Sequence, residues 1–228
     1  MADRYREEFN EDELINRLNG IKNNVHSISA SAQVVAVSKR KPSVMIKTAY
    51  EAGQRLFGEN YVQELVEKSQ ILPQDIEWHC IGPIQSNKVK SLVEVENLVI
   101  QTLHREKIAR KFEKELAKHE KILRCFVQVS TSTEETKSGV QIGDALEQIV
   151  NVIETECPHL NMLGFMTIGQ QNDLTVFESM RVIREEYEER LGRPLLLSMG
   201  MSSDFDHALR CGSNYVRIGS AIFGQRKY

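Results

Sequence analysis

The sequence predicts an α/β fold, a single-domain (β/α)8 barrel of the TIM type with an extra helix at its N-terminus. Three observations point there. Eight short apolar runs alternate with segments of helical periodicity along the chain. The runs are mostly apolar at consecutive positions, as strands covered on both faces of a parallel sheet must be. Eight such units within 228 residues also match the size at which this barrel closes. An open doubly wound sheet is the competing arrangement, weakened because no G-x-G-x-x-G follows the first strand.

Residues 11–30 set Leu14, Ile15, Leu18 and Ile21 at helical spacing, a helix that fades near Ser27-Ile28-Ser29. The first strand is VVAVS (34–38), stopped by Pro42, which has no N–H for a ladder. Helix VMIKTAYEAG precedes strand RLFG (55–58), and YVQELVEKSQI precedes EWHCIG (77–82). SNKVKSLVEV leads to NLVIQTL (97–103), and REKIARKFEKELAKHE to ILRCFVQVS (122–130). GDALEQIVNVIETE then precedes NMLGFMTIG (161–169). DLTVFESMRVIREEYEERLG precedes LLLSMG (195–200), and SDFDHALRCG precedes YVRIG (215–219). Gly53, Gly192 and Gly212 are helix stops. The expected division is a helical segment over 1–30 and the barrel over 31–228, with no linker or repeat.

Composition narrows the function classes. The chain is 41% hydrophobic and 27% charged, with a net charge of −3 and no basic footprint, so nucleic acid is not an expected partner. Its densest basic stretch, residues 104–124, places Ile108, Phe112 and Leu116 four apart and Glu106 four before Arg110, which describes a solvated amphipathic helix. Cys80, Cys125, Cys157 and Cys211 form no CxxC pair, so neither a disulfide framework nor a zinc site is expected. No apolar run approaches the roughly 20 residues that cross a bilayer. The N-terminus is acidic and polar, unlike a secretory signal. A reducing, cytoplasmic setting is expected.

In a parallel barrel the C-terminal strand ends form the active face. Here they carry Lys39, then Gly58-Glu59-Asn60-Tyr61, His79, Gln101-Thr102, Ser130-Thr131 and Thr167. The last two carry Ser198 with Ser202-Ser203, and Arg217 with Gly219-Ser220. The loops after the seventh and eighth strands are the recurrent phosphate site of such barrels, and Ser202 or Ser203 suits a helix N-cap. Asp204 opposes an anion there unless its carboxylate turns away. Lys39 reads either as a lysine snorkelling to solvent or as a desolvated amine able to condense with a carbonyl. His79 reads as a hydrogen-bonded core residue or as a neighbour of a flat ring, and Arg217 as an ion-pair partner or a ligand group. Taken together they suggest one aldehyde-bearing phosphate ester.

These residues sit in VAVSKRKP, FGENYVQE, WHCIGPIQSNK, TKSG (136–139), GFMTIG, LSMGMSSDF and VRIGSAIFG. In this order the motifs resemble the pyridoxal phosphate homeostasis proteins (the YggS/PROSC group), relatives of the alanine racemase barrel. The resemblance implies a fold type III barrel that holds pyridoxal 5′-phosphate on Lys39 as an internal aldimine. It places Arg217 at the pyridine nitrogen, Ser202, Gly219 and Ser220 at the phosphate, and Asn60, His79, Met166 and Ser198 along the ring. Cys80 stands where an aromatic residue is usual and Pro83 where histidine is common.

An arginine opposite the pyridine nitrogen disfavours its protonation and makes the ring a poorer electron sink. The related racemases add a tyrosine base from a second domain, whereas this sequence ends at Tyr228, shortly after its last strand. Tyr61 and Tyr215 are expected to pack in the core. The expected function is therefore non-catalytic cofactor homeostasis and delivery by a monomer, with apo-enzymes that use pyridoxal phosphate as partners. An amino-acid racemase is the first alternative and a Schiff-base aldolase the second.

Overall fold

The computed structural model describes residues 9–131, 138–169, 173 and 175–224. Its strands are β1 (Gln33–Val37), β2 (Leu56–Glu59), β3 (Glu77–Cys80), β4 (Leu98–Leu103) and β5 (Leu123–Ser130), then β6 (Val140–Gln141), β7 (Leu160–Met166), β8 (Leu196–Ser198) and β9 (Tyr215–Ile218). All pair in parallel, and the β4–β5 pairing closes the ring β1-β2-β3-β4-β5-β7-β8-β9. The eight barrel strands are those read from the sequence. β6 is an unanticipated two-residue strand that pairs with the end of β5 outside the ring.

The helices are α1 (Glu11–Ile28), α2 (Ser43–Glu51), α3 (Val62–Ile71), α4 (Val89–Val93), α5 (Glu106–Leu116), α6 (Asp144–Glu156), α7 (Thr175–Leu191), α8 (Phe205–Arg210) and α9 (Ser220–Phe223). Asn10 caps α1, its side-chain oxygen accepting the Glu13 N–H at 3.1 Å. Gly53, Gly192 and Gly212 follow α2, α7 and α8 in left-handed backbone, as expected of helix stops. The basic stretch forms α5 with Ile108, Phe112 and Leu116 buried, and it ends four residues short of the predicted limit.

Strands are mostly apolar because each has two buried faces; all six residues of β4 are buried. Outward side chains join one large core beneath the helices, whereas Val99, Phe126 and Met166 pack inside the ring with Leu196 and Tyr215. The last helix, α9, has only four residues, too few to cover the seam between β9 and β1. Helix α1 packs there against α2, α8, α9 and β1, burying Leu14, Leu18 and Val25, while Arg17 Nε donates to the Ile222 carbonyl at 3.0 Å. It takes the place of the barrel's missing outer helix. Leu18→Ala is expected to cost about 2–5 kcal/mol, checked by urea unfolding.

Candidate functional site

Inside the ring, Val35 and Val37 of β1 flank Gly58 of β2, where an added Cβ would stand 3.1 Å from Val35 Cγ1 and 3.5 Å from Val37 Cγ2. Lys39 lies two residues beyond Val37, half-buried in the turn that ends β1. On the other side of β1, its neighbour β9 carries Arg217 inward, in register with Val35 and almost wholly buried. Its Nη1 donates to the Ser198 carbonyl at 2.8 Å and to Ser198 Oγ at 2.9 Å, and its Nη2 to the Thr167 carbonyl at 2.7 Å. No carboxylate lies within ion-pair distance of it among the described residues. Burial pushes its pKa down to about 10, with the charge of Asp204 pulling the other way.

Arg217 starts a buried polar chain across the barrel. Ser198 Oγ donates to Gln101 Oε1 at 2.7 Å, Gln101 Nε2 stands 2.7 Å from His79 Nδ1, and His79 Nε2 stands 2.8 Å from Glu77 Oε1. Arg124 Nη1 closes the chain on Glu77 Oε2 at 2.8 Å. Because a guanidinium only donates, Ser198 accepts from it and passes its own proton to Gln101. The Gln101 amide then donates to Nδ1, leaving the His79 proton on Nε2, toward Glu77. Both imidazole nitrogens are engaged within the protein, and the ring lies 5.7 Å from that of Tyr215.

Burial holds His79 below the ordinary imidazole pKa, against the pull of Glu77. The unfolded chain takes up that proton near pH 6.5 while the folded one does not. Stability is thus fully present above that pH and falls below it, by up to ~1.4 kcal/mol per pH unit for one site. His104, shifted the same way by burial, adds to the slope. In His79→Gln the His79 share disappears; unfolding curves between about pH 7.5 and about 5 check it. Equal slopes in the two proteins would refute it.

The loops after β8 and β9 stand at the same end. Gly200 lies in left-handed backbone at φ 94°, and a Cβ there would come within 2.6 Å of Ala208 Cβ, so only glycine lets the chain fold back onto α8. The capping expectation is corrected: Asp204, not Ser202 or Ser203, is the N-cap of α8, and no side chain caps that helix. The Asp204 carboxylate instead accepts the Met201 N–H at 2.6 Å, turned onto its own loop. Ser202 is half-buried on that loop. Gly219 sits beside Val37, and Ser220 opens α9 at the surface; Ile222 and Phe223 give their N–H groups to the Gly219 carbonyl at 3.0 and 2.9 Å, which leaves those of Ser220 and Ala221 outside the helix's own bonding.

Asn60 stands after β2 with a buried Oδ1 that has no hydrogen-bond partner. Met166 is buried in the apolar cluster inside the ring. A cleft of about 200 Å³ opens between the ends of β5 and β7, lined in part by Ser130, Thr131, Ser138 and Thr167. Of the TKSG motif, Thr136 and Lys137 lie outside the described residues. Tyr61 corrects another expectation: it is exposed, with its hydroxyl 2.9 Å from Arg40 Nη2. Tyr215 does pack, against the rings of His79 and Phe126.

The sequence places Gln101 at a strand end without a role there, and it singles out none of Glu77, Arg124 and Gln128. Gln128 follows Phe126 in strand phase, buried, and its Oε1 lacks a partner. The available signal was an amide inside an apolar run, LVIQTL for Gln101 and CFVQV for Gln128.

Comparison with known proteins agrees with the motifs. A sequence profile described as alanine racemase, N-terminal domain matches residues 12–227. The pyridoxal phosphate homeostasis protein of Caenorhabditis elegans is 42% identical over 212 residues, covering 86% of this chain and 86% of that protein. That of Homo sapiens is 42% identical over 213 residues, covering 86% and 77%. The structure of PipY from Synechococcus elongatus PCC7942 with PLP bound superposes with a TM-score of 0.83 at 28% identity, over 92% of this chain and 100% of that one. With the closed barrel, the motif order and these likenesses together, the chain belongs to the pyridoxal phosphate homeostasis protein family, built on the alanine racemase N-terminal fold.

Proposed function

We propose that this chain binds pyridoxal 5′-phosphate covalently on the Lys39 amine and serves cytoplasmic homeostasis and delivery of that cofactor, without turning over a substrate. The observation that carries the reading is Arg217, a buried guanidinium without a carboxylate partner among the described residues, aimed by two carbonyls and a hydroxyl. Such a cation suits an unprotonated ring nitrogen. The buried Asn60 Oδ1, which has no hydrogen-bond partner, and the N–H groups of Ser220 and Ala221 at the start of α9 fit the same ligand. Ser202, Gly219 and Ser220 hold its phosphate, while Asn60, His79, Met166 and Ser198 line its ring. PipY, solved with PLP bound, and the homeostasis name of the relatives support the assignment.

When bound, the group supplies an aldehyde for amines and an electron sink. Arg217 weakens the sink by opposing protonation of the ring nitrogen, which favours holding the cofactor over carbanion chemistry. Apo-enzymes that use pyridoxal phosphate are the recipients, and the protein works as a monomer.

The test is borohydride reduction of the protein incubated with pyridoxal 5′-phosphate, followed by peptide mass spectrometry and near-ultraviolet absorption. A yellow protein with a phosphopyridoxyl group on Lys39 is expected. A colourless, unmodified protein overturns the reading and puts the aldolase first. No deuterium should enter Cα of alanine or serine from heavy water; its incorporation would put the racemase first.

A further inference from the structure

The residues on both sides of Lys39 are held from outside the barrel. Ser38, the residue after β1, and Glu59, the last of β2, lie on the outward face, each fully buried. Lys68, from the last turn of α3, reaches into this layer. Its Nζ donates to the Ser38 carbonyl at 2.9 Å and lies 2.7 Å from Glu59 Oε1 and 2.7 Å from Glu64 Oε1. An ammonium has three protons, and these three acceptors take them all. Ser38 Oγ donates to the same Glu59 oxygen at 2.6 Å, and the Arg40 N–H donates to Glu64 Oε1 at 2.6 Å. Arg40 itself sits at φ 59°, left-handed backbone that a residue with a Cβ adopts only where its surroundings impose it. The Lys41 N–H closes the turn onto the Ser38 carbonyl at 3.0 Å.

Stability does not account for this cluster. Removing an ammonium and two carboxylates from water carries a desolvation cost that apolar packing of similar volume avoids. Burial pushes the Glu59 carboxyl up to about 7 despite the adjacent ammonium, so desolvation outweighs the attraction at that group. Glu59 Oε2 is also buried with no partner. What the cluster does supply is direction: one ammonium and two carboxylates fix the carbonyl and hydroxyl of the residue before Lys39 and the N–H of the residue after it.

We propose that Lys68, with Glu59 and Glu64, is a positioning group for Lys39, fixing the turn so that the amine is presented to an incoming aldehyde. The proposal rests on the reading of Lys39 as the amine that takes the cofactor. None of the three side chains is proposed to touch that cofactor. Their effect is therefore on the rate of condensation at Lys39, which releases one water, and not on the prior capture of the phosphate.

The experiment uses the full chain freed of cofactor, as wild type, Lys68→Met and Glu64→Ala, with pyridoxal 5′-phosphate as the probe. Absorbance gives the maximal rate of loading and the half-saturating concentration, borohydride with peptide mass spectrometry locates the adduct, and near-ultraviolet circular dichroism checks folding. The maximal rate is expected to fall at least about tenfold in Lys68→Met and about threefold in Glu64→Ala, with half-saturation within about twofold of wild type in both. Folded variants that load at the wild-type rate overturn the proposal, as does a change confined to half-saturation. Glu64 is partly exposed, so its variant keeps the test decisive if Lys68→Met does not fold. If wild-type Lys39 takes no pyridoxal 5′-phosphate, the binding reading fails, and the positioning is then judged by acetic anhydride labelling of the apo-protein. Acetylation of Lys39 relative to exposed Lys114 must then differ at least about threefold between wild type and each variant. Equal labelling overturns it.

Discussion

Lys39→Ala is expected to abolish covalent capture of pyridoxal 5′-phosphate, taking the borohydride-fixed adduct from near one per chain to background. An alanine offers no nucleophile, so no amount of cofactor restores the bond. Weak binding persists, because the loops after β8 and β9 still present Ser202, Gly219, Ser220 and the N–H groups of Ser220 and Ala221 to a phosphate. A loss on the order of a hundredfold in affinity corresponds to about 2.7 kcal/mol. The same difference should show as lost thermal protection by the cofactor, since a ligand stabilises only as far as it binds the folded state. The apo-protein should unfold within about 0.5 kcal/mol of wild type, because Lys39 is only half-buried and lies in a turn. Titration by absorbance and unfolding with and without pyridoxal 5′-phosphate check both parts. Retained stoichiometric capture would show that another amine takes the group.

Arg217→Glu carries the second large effect. The guanidinium now satisfies two main-chain carbonyls and a hydroxyl at 2.7–2.9 Å, and a carboxylate there faces the same oxygens with no proton to share. Leaving buried acceptors against a buried charge typically costs about 3–5 kcal/mol, relieved in part if the new carboxyl takes up a proton. Loaded with pyridoxal 5′-phosphate, the variant should show a shifted absorption band, because a carboxylate favours the protonated ring nitrogen that an arginine disfavours. An unchanged band would mean that position 217 does not face the ring. The variant also cuts the chain to Ser198, Gln101 and His79 at its donor end, so the His79 tautomer, read by nitrogen NMR, should lose its single preference for the Nε2 proton.

Much of this architecture was legible in the residues. Runs such as VVAVS and NLVIQTL are apolar at successive positions because both faces of those strands are covered, and eight of them separated by helical periods leave little room beside a closed barrel. The strand ends likewise announced Lys39, Ser198 and Arg217, since a polar residue closing an apolar run needs a reason to be there. The outer clamp was not legible. Lys68 sits in YVQELVEKSQI, whose pattern shows a helix and no reason to bury a lysine, yet it is almost wholly buried because that turn of α3 lies over the ends of β1 and β2. Nor did the sequence show α1 closing the helical layer, which depends on α9 being too short to do so.

Residue patterning alone fixes the eight barrel strands, their parallel order, the end on which the polar residues gather and the lysine that strand one delivers. All of these are local properties, because side-chain periodicity records which face each residue shows its surroundings. What those polar residues hold is set by closure and packing. Gln101 and Ser198 are 97 residues apart and meet because the ring closes with their strands facing across it. Ser38 and Lys68 are 30 apart and meet because α3 packs over that end of the sheet. A buried polar group must find a partner wherever closure and packing place one, and neither distance in sequence nor periodicity encodes which partner that is.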